Sequence, residues 1–172
     1  MIPLRDVNPT RRVPVITLIL IAINVVVFLY EQTLSERGLA RLFLQYGVVS
    51  SRFFDGSLTL NDGLTLITST FLHGDWLHIG GNMLYLWIFG NNIEDRLGAF
   101  RFIIFYFLTG LVASALQIVI EPASRLPMVG ASGAIAGVLG GYSVLFPRAR
   151  VQTLVVFFVF ILVVGIPASV LL

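Results

Sequence analysis

Five long apolar segments constrain the fold of this sequence more than any other feature. They run over residues 13–30, 77–93, 102–120, 132–146 and 151–172. Most of them approach the roughly 20 residues that a membrane-spanning helix needs. Because backbone N–H and C=O groups find no hydrogen-bond partners in lipid, such a segment satisfies them within a helix. The sequence therefore predicts an all-α fold, a polytopic transmembrane helical bundle, with a single domain over residues 1–172.

The composition agrees with a location in a membrane. Hydrophobic residues make up 57% of the chain and charged residues 12%, and the mean hydropathy is +0.93. These values lie outside the usual balance of soluble domains. The first apolar run exceeds the 7–15 residues of a typical signal-peptide core, so we interpret residues 12–30 as a retained first span. The chain has no cysteine, which excludes thiolate chemistry from these residues.

The arginines predict the orientation of the spans. All 11 basic side chains are arginines. Seven of them lie before the first span, between the second and third spans, or between the fourth and fifth spans. The other four fall on the opposite side. The positive-inside rule therefore places the N-terminus in the cytoplasm. The net charge of +2 reflects this topology and indicates no nucleic-acid partner.

Residues 31–76 form a long connection on the outer side. Leu39, Leu42 and Phe43 recur there at helical spacing beside charged residues, a pattern typical of a helix in the headgroup region. We therefore expect an outer loop that is partly embedded in the membrane. The alternative is a solvated connector.

The fourth segment is unusually short and carries a serine at its outer end. Residues 132–146 give a helix of about 22 Å, which is less than the hydrocarbon core of about 30 Å, so Ser132 is expected to lie below the outer surface. A helix start exposes unpaired N–H groups that favour an oxyanion. Gly133, Gly137 and Gly141 follow at a spacing of four, which predicts close packing against a neighbouring helix.

Two polar residues of the second segment are expected near the same depth. His78 and Asn82 are four residues apart, so they share one face in the outer half of that helix. Polar groups within spans are costly, and together with Ser132 they indicate a functional site. His73 lies five residues before His78. If the helix extended back to His73, its side chain would point away from the face of His78 and Asn82, so we expect His73 to be a loop or interface residue.

These residues resemble the motifs of the rhomboid intramembrane serine proteases. The sequence "GASG" at residues 130–133, the H-x-x-x-N pattern of His78 and Asn82, and the run "FLHGDWLHIGGNMLYLWIFGNNIED" carry the resemblance, which covers most of the chain. It implies that Ser132 is the nucleophile and that His78, Asn82 and the Ser132 N–H stabilise the oxyanion. It also implies that Gly133 lets backbone and substrate approach closely.

The resemblance further implies the partners and the location of the protein. The expected partners are transmembrane protein substrates and the lipid bilayer, without nucleic acid, metal or cofactor. The expected location is a bacterial inner membrane. No H-E-x-x-H motif or aspartate pair within the spans points to another class of intramembrane protease.

The general base is the part that this sequence does not supply. Rhomboid proteases take it from a histidine on a sixth span, whereas this chain has 2 histidines, His73 and His78, and ends at Leu172 within an apolar run. We therefore expect a truncated chain with five of six spans. One alternative is a catalytically inactive rhomboid-like protein that binds transmembrane clients. A transporter with broken helices would predict an inverted repeat, which the sequence lacks.

Overall fold

The computed structural model describes residues 1–56, 58–157 and 160–171. Its α-helices are α1 (Val15–Glu31), α2 (Glu36–Tyr46), α3 (Leu60–Thr68), α4 (Trp76–Tyr85), α5 (Asn91–Leu97), α6 (Ala99–Ile120), α7 (Ser132–Leu145) and α8 (Ala168–Leu171). The strands are β1 (Ile2–Asp6), β2 (Arg150–Phe157) and β3 (Phe160–Pro167). Short 3₁₀ turns cover Ser50–Phe53 and Ser69–Phe71.

The first four apolar segments form helices, as predicted. The second segment corresponds to α4, a π-helical turn over Leu86–Gly90 and α5, which follow one another without a break. Among the described helices, α6 alone is both long enough and apolar enough to cross a membrane, while α1 and α7 are shorter apolar helices. The helical prediction is therefore confirmed for these segments, and their crossing of a membrane stays a prediction.

The fifth apolar segment is mostly strand rather than helix, so the all-α prediction is wrong there. Its strands β2 and β3 pair antiparallel from Arg150 with Pro167 to Phe157 with Phe160, and β1 pairs antiparallel with β2 on its other side. The short helix α8 follows β3. The segment is rich in valine, isoleucine and phenylalanine, which favour strands. An uninterrupted apolar run has no periodicity that distinguishes a buried strand from a helix.

Close packing of α6 against α7 forms the centre of the fold. A Cβ on Gly133 would lie 2.6 Å from the Ala113 Cβ, and one on Gly137 would overlap the Thr109 side chain. A Cβ on Gly141 would lie 3.2 Å from the Phe105 ring. The predicted glycine stripe is therefore confirmed as a helix-packing face, and α6 is the helix that it contacts.

A buried carboxylate joins α5 to the start of α1. Glu94 is 5% exposed and accepts hydrogen bonds from the backbone N–H groups of Ile16 (2.9 Å) and Thr17 (2.8 Å) and from the Thr17 hydroxyl (2.8 Å). These donors belong to the first turn of α1, where N–H groups have no partner within the helix. Glu94 therefore fixes α1 relative to the helical unit that carries His78 and Asn82.

The connection between α1 and α4 contains the predicted helix and is hydrogen-bonded to the loop before α7. Leu39, Leu42 and Phe43 lie on α2, whose start is capped by the Ser35 side chain. After α2, the Val48 N–H donates to the Met128 carbonyl (3.0 Å) and the Met128 N–H donates to the Val48 carbonyl (2.8 Å). This pairing satisfies backbone groups of residues 121–131 and positions the start of α7.

Candidate active site

Ser132 is the first residue of α7 and faces open space. Its side chain is exposed, and Ser132 Oγ makes no hydrogen bond within the described part of the chain. Its backbone N–H is among the first four of the helix, which have no acceptor one turn earlier. The serine therefore presents a free hydroxyl and a free N–H at the positive end of a helix dipole.

Ser132, His78 and Asn82 line one cavity between α4 and α7. The cavity has a volume of about 440 Å³, and its remaining walls come from Leu77, Gly81, Tyr85, Ile135, Ala136 and Leu139. The three predicted polar residues are thus brought together in a mainly apolar groove. The groove is open rather than enclosed.

Gly130 brings the serine and the histidine close together. A Cβ on Gly130 would lie 2.6 Å from His78 Nε2 and 3.6 Å from Ser132 Oγ, so both side chains border the same small space. Its φ of +121° is a conformation that residues with a side chain rarely adopt. Its N–H donates to the Ser69 carbonyl at 2.9 Å. Glycine is therefore required here for both its backbone conformation and its lack of a side chain.

The two polar residues on α4 are each held by a neighbour. Asp75 caps the helix by accepting from the His78 N–H at 2.8 Å. Asn82 is 8% exposed, and its Nδ2 lies 2.9 Å from His73 Nε2. Since a carboxamide nitrogen only donates, His73 accepts one of its two protons. Asn82 Nδ2 makes no second hydrogen bond with a residue that the structure describes, and Asn82 lines the cavity.

The prediction that His73 points away from the site is wrong. His73 contacts Asn82, and its ring lies 5.1 Å from the ring of His78, edge to face. The prediction extended the helix back to residue 73, but α4 begins at Trp76 after an extended Asp75 (φ −159°, ψ 171°). The rotation per residue of a helix therefore does not apply to His73, and the extended connection returns its side chain toward α4.

The surroundings of His73 keep its ring neutral. It is 1% exposed, and burial, followed by the neighbouring His78, lowers its pKa from 6.5 to about 4. Its backbone N–H points to the buried carboxylate of Glu31, at 3.3 and 3.4 Å from the two oxygens. A neutral imidazole keeps an acceptor nitrogen, which is what the contact with Asn82 requires.

A second cavity borders Ser132 on the side of α6. It has a volume of about 200 Å³ and is lined by Gly130, Ser132 and Gly133 together with polar residues that the sequence analysis did not single out, namely Ser69, Thr70, Ser114 and Gln117. The lining as a whole comes from three separate parts of the chain, so no short motif connects its residues. Gly133, predicted to allow close approach of substrate, borders this cavity, and its Cα faces Ala113 of α6.

Comparison with known proteins agrees with this arrangement. The sequence model of the Rhomboid domain matches residues 61–172, which include every residue of the two cavities. The chain belongs to the rhomboid family. The matched range contains Ser132 on α7 and His78 and Asn82 on α4, which the structure brings to one cavity.

Several individual rhomboid relatives are similar over part of their length. The chain is 36% identical over 138 residues to Rhomboid protein 1, mitochondrial, of Saccharomyces cerevisiae, a match covering 77% of this chain and 37% of the relative. It is 30% identical over 118 residues to Rhomboid-like protein 11, chloroplastic, of Arabidopsis thaliana, covering 69% and 38%. To Rhomboid protease GluP of Bacillus subtilis it is 39% identical over 75 residues, covering 44% and 14%.

This rhomboid chain matches only part of each of these relatives. It spans less than two fifths of the length of the first two relatives, so the matched part is a fraction of those proteins. The first two relatives are named mitochondrial and chloroplastic, and the third comes from a bacterium. The comparisons therefore do not single out a bacterial inner membrane.

Proposed function

We propose that this protein is an intramembrane serine endopeptidase that cleaves transmembrane or membrane-adjacent segments of other membrane proteins. The observation that carries the proposal is the free Ser132 hydroxyl at the start of α7, in one cavity with His78 and Asn82. Membership of the rhomboid family supports it, because one similar relative is named a rhomboid protease.

In the proposed reaction, Ser132 Oγ attacks the carbonyl carbon of the scissile peptide bond and gives its proton to a base. The negative charge that develops on the carbonyl oxygen is stabilised by the Ser132 N–H, the second proton of Asn82 Nδ2 and the His78 ring. The C–N bond then breaks, the leaving amine takes the proton, and water hydrolyses the serine ester. One such donor is worth about 2.7–4 kcal/mol of barrier in a serine protease.

The general base is proposed to come from outside these residues. The chain has 2 histidines, His73 accepts from Asn82, and neither ring hydrogen-bonds Ser132 Oγ in the described part of the chain. A His78 that stabilises the oxyanion is poorly suited to take the serine proton as well. By resemblance to rhomboid proteases, the base is a histidine of a sixth span.

We further propose that the chain is a polytopic membrane protein with its N-terminus on the inner side. Large apolar side chains remain exposed along both α1 and α6, among them Val26 (65%), Leu29 (51%), Leu116 (57%) and Val119 (70%). Apolar surface of this extent on two helices suits contact with lipid. Partial embedding of residues 31–76 and location in a bacterial inner membrane belong to the same proposal.

Labelling with a serine-directed phosphonate probe tests the protease proposal. The full-length protein is expected to react at Ser132, and Ser132→Ala is expected to abolish labelling. Ser143→Ala is the matched control, because Ser143 lies on the same helix and donates to the Gly140 carbonyl (2.9 Å). Equal labelling of the wild type and Ser132→Ala would contradict the proposal.

The second candidate is an inactive rhomboid-like protein that binds transmembrane clients. It is favoured by the lack of a base against Ser132 Oγ within the described residues. The two functions differ in the cleavage of a model transmembrane substrate by the full-length protein. Cleavage that is lost in Ser132→Ala supports the protease, whereas capture of the intact substrate without cleavage supports the client-binding protein.

A further inference from the structure

The inner side of the molecule carries a cavity lined by arginines. It has a volume of about 310 Å³ and lies between the connection from β1 to α1 and the end of α5. Its walls include Arg11, Arg12 and Arg96, with Asn8 and Asn92 as neutral polar groups and Pro9 and Phe146 as apolar ones. The cavity is separate from the one that contains Ser132.

The guanidinium groups in this cavity have no carboxylate partner among the described residues. The ion pair found there is Arg52 with Asp62 at 3.8 Å, on the outer side. No carboxylate oxygen of residues 1–56, 58–157 or 160–171 therefore lies within 4.0 Å of the side-chain nitrogens of Arg11, Arg12 or Arg96. Three unpaired cations around one cavity produce a positive potential that attracts an anion.

The nearby carboxylates are occupied by uncharged donors. Glu94 binds the start of α1, and Asp6 accepts from Asn92 Nδ2 (2.7 Å) and from the Tyr142 hydroxyl (3.0 Å). Among the described residues, Asp95 is the one acidic group in the cavity wall, and it accepts from the backbone N–H groups of Arg11 (3.2 Å) and Arg12 (3.1 Å). Glu94 and Asp95 thus bind backbone N–H groups and Asp6 binds two neutral side chains, and none of the three pairs with an arginine side chain of the cavity.

Asp95 explains why the arginines converge. It precedes Arg96 on α5 and binds the backbone of Arg11 and Arg12, so it brings two distant parts of the chain to one place. One negative charge among three positive ones leaves the cavity with a net positive charge. Guanidinium groups present paired N–H donors that match the oxygens of a phosphate.

We propose that this cavity binds a phosphate group, carried by the headgroup of an anionic phospholipid or free in solution. The site lies on the side where the positive-inside rule places the arginines, next to the inner headgroup layer, and Pro9 and Phe146 offer apolar contact beside the charges. The inference goes beyond the proposed proteolysis, since Ser132 takes no part in it.

Ligand-dependent thermal stabilisation tests this site. The purified protein in a non-ionic detergent is titrated, at constant ionic strength, with short-chain phosphatidylglycerol, with phosphatidylcholine of equal chain length, and with inorganic phosphate. We expect saturable stabilisation by phosphatidylglycerol and none by phosphatidylcholine. Stabilisation by inorganic phosphate as well would identify free phosphate as a ligand of the same site, and its absence would identify the lipid headgroup.

Charge-matched variants locate the effect. The triple variant Arg11→Gln, Arg12→Gln, Arg96→Gln is expected to lower the affinity on the order of a hundredfold. Arg37→Gln, Arg41→Gln and Arg125→Gln together remove the same charge from exposed positions on the outer side and are expected to leave it unchanged. If the inner triple variant fails to fold, Arg96→Gln alone is expected to weaken binding about fivefold.

Two results would overturn the proposal. One is an equal response of the wild type to the anionic and the zwitterionic lipid with no response to phosphate. The other is an unchanged affinity in a folded Arg96→Gln or inner triple variant. Neither result bears on labelling of Ser132, so failure of this site is distinguishable from failure of the proposed protease.

Discussion

Gly130 illustrates how one residue sets the geometry of the site. It allows the loop before α7 to turn at φ +121° and leaves room for the His78 ring, which a Cβ would approach to 2.6 Å. The ring and the Ser132 hydroxyl consequently share one space. A change at Gly130 is therefore expected to act on the reactivity of Ser132 through the position of His78.

We expect Gly130→Ala to lower phosphonate labelling of Ser132 by at least about tenfold. The added methyl group strains the backbone and displaces the imidazole, and loss of one oxyanion donor costs roughly 10²–10³ in rate. Gly80→Ala is the matched control, because Gly80 lies on the same helix as His78 and a Cβ there meets nothing within 4 Å. Equal labelling of both variants would contradict the role assigned to Gly130.

The neutral state of His73 makes a pH-dependent contribution to stability. His73 lies outside the predicted spans, and its pKa is about 4 in the folded protein against 6.5 for an ordinary histidine. Between these values the unfolded chain binds a proton that the folded protein does not. The contribution is therefore complete above pH 6.5 and is lost as the pH falls toward 4.

Comparison with His73→Gln isolates this contribution. We compare the difference in free energy of unfolding, wild type minus variant, at two pH values. We expect this difference to be larger at pH 7.5 than at pH 4.5 by on the order of 2–3 kcal/mol. Denaturant titration in detergent at the two pH values measures it. A difference between wild type and variant that does not change with pH would contradict a buried neutral His73.

At the scale of elements, the approach of α6 and α7 positions the serine. Gly133, Gly137 and Gly141 face Ala113, Thr109 and Phe105, so the start of α7 is set by contacts along much of its length. The Thr109 hydroxyl adds a hydrogen bond to the Ala134 carbonyl at 3.3 Å. Rigid helices hold a nucleophile more accurately than a loop does.

Two glycines of α7 offer a matched test of this packing. We expect Gly137→Ala to destabilise the protein by about 1–3 kcal/mol, because the methyl group overlaps the Thr109 side chain. Gly140→Ala is expected to be neutral or to stabilise by up to about 1 kcal/mol, because its Cβ meets nothing within 4 Å and alanine favours the helix. Thermal unfolding of both variants measures the difference, and equal melting temperatures would contradict the assigned interface.

Elements also differ in how well the sequence predicted them. Helical spacing is present in two local patterns, that of Leu39, Leu42 and Phe43 and that of the α7 glycines. The structure contains a helix at both places. The segment from Val151 has no such period. It forms the strands β2 and β3, which pair with each other, and β2 also pairs with the N-terminal strand β1. Pairing between residues so distant in the chain leaves no local pattern.

For the whole molecule, the predicted orientation has a direct test that the lack of cysteine makes simple. Arg37→Cys on α2 and Arg148→Cys after α7 are exposed positions on predicted opposite sides. The test uses intact cells or sealed vesicles of known orientation and a membrane-impermeant maleimide. The Arg37→Cys variant is expected to be labelled from outside, and the Arg148→Cys variant only after permeabilisation. Labelling of both positions from outside would contradict the orientation.

Local spacing in the sequence was enough to predict four of the five apolar segments as helices, but not the strands of the fifth. Apolar length and the period of four predicted α1, α6 and α7, and the spacing of His78 and Asn82 placed both on one face of α4. Contacts in the tertiary structure bring His73 to Asn82, make room for His78 beside Gly130, and pair β2 with both β1 and β3. Each of these depends on contacts between separate parts of the chain, whose energies are absent from any single stretch of sequence.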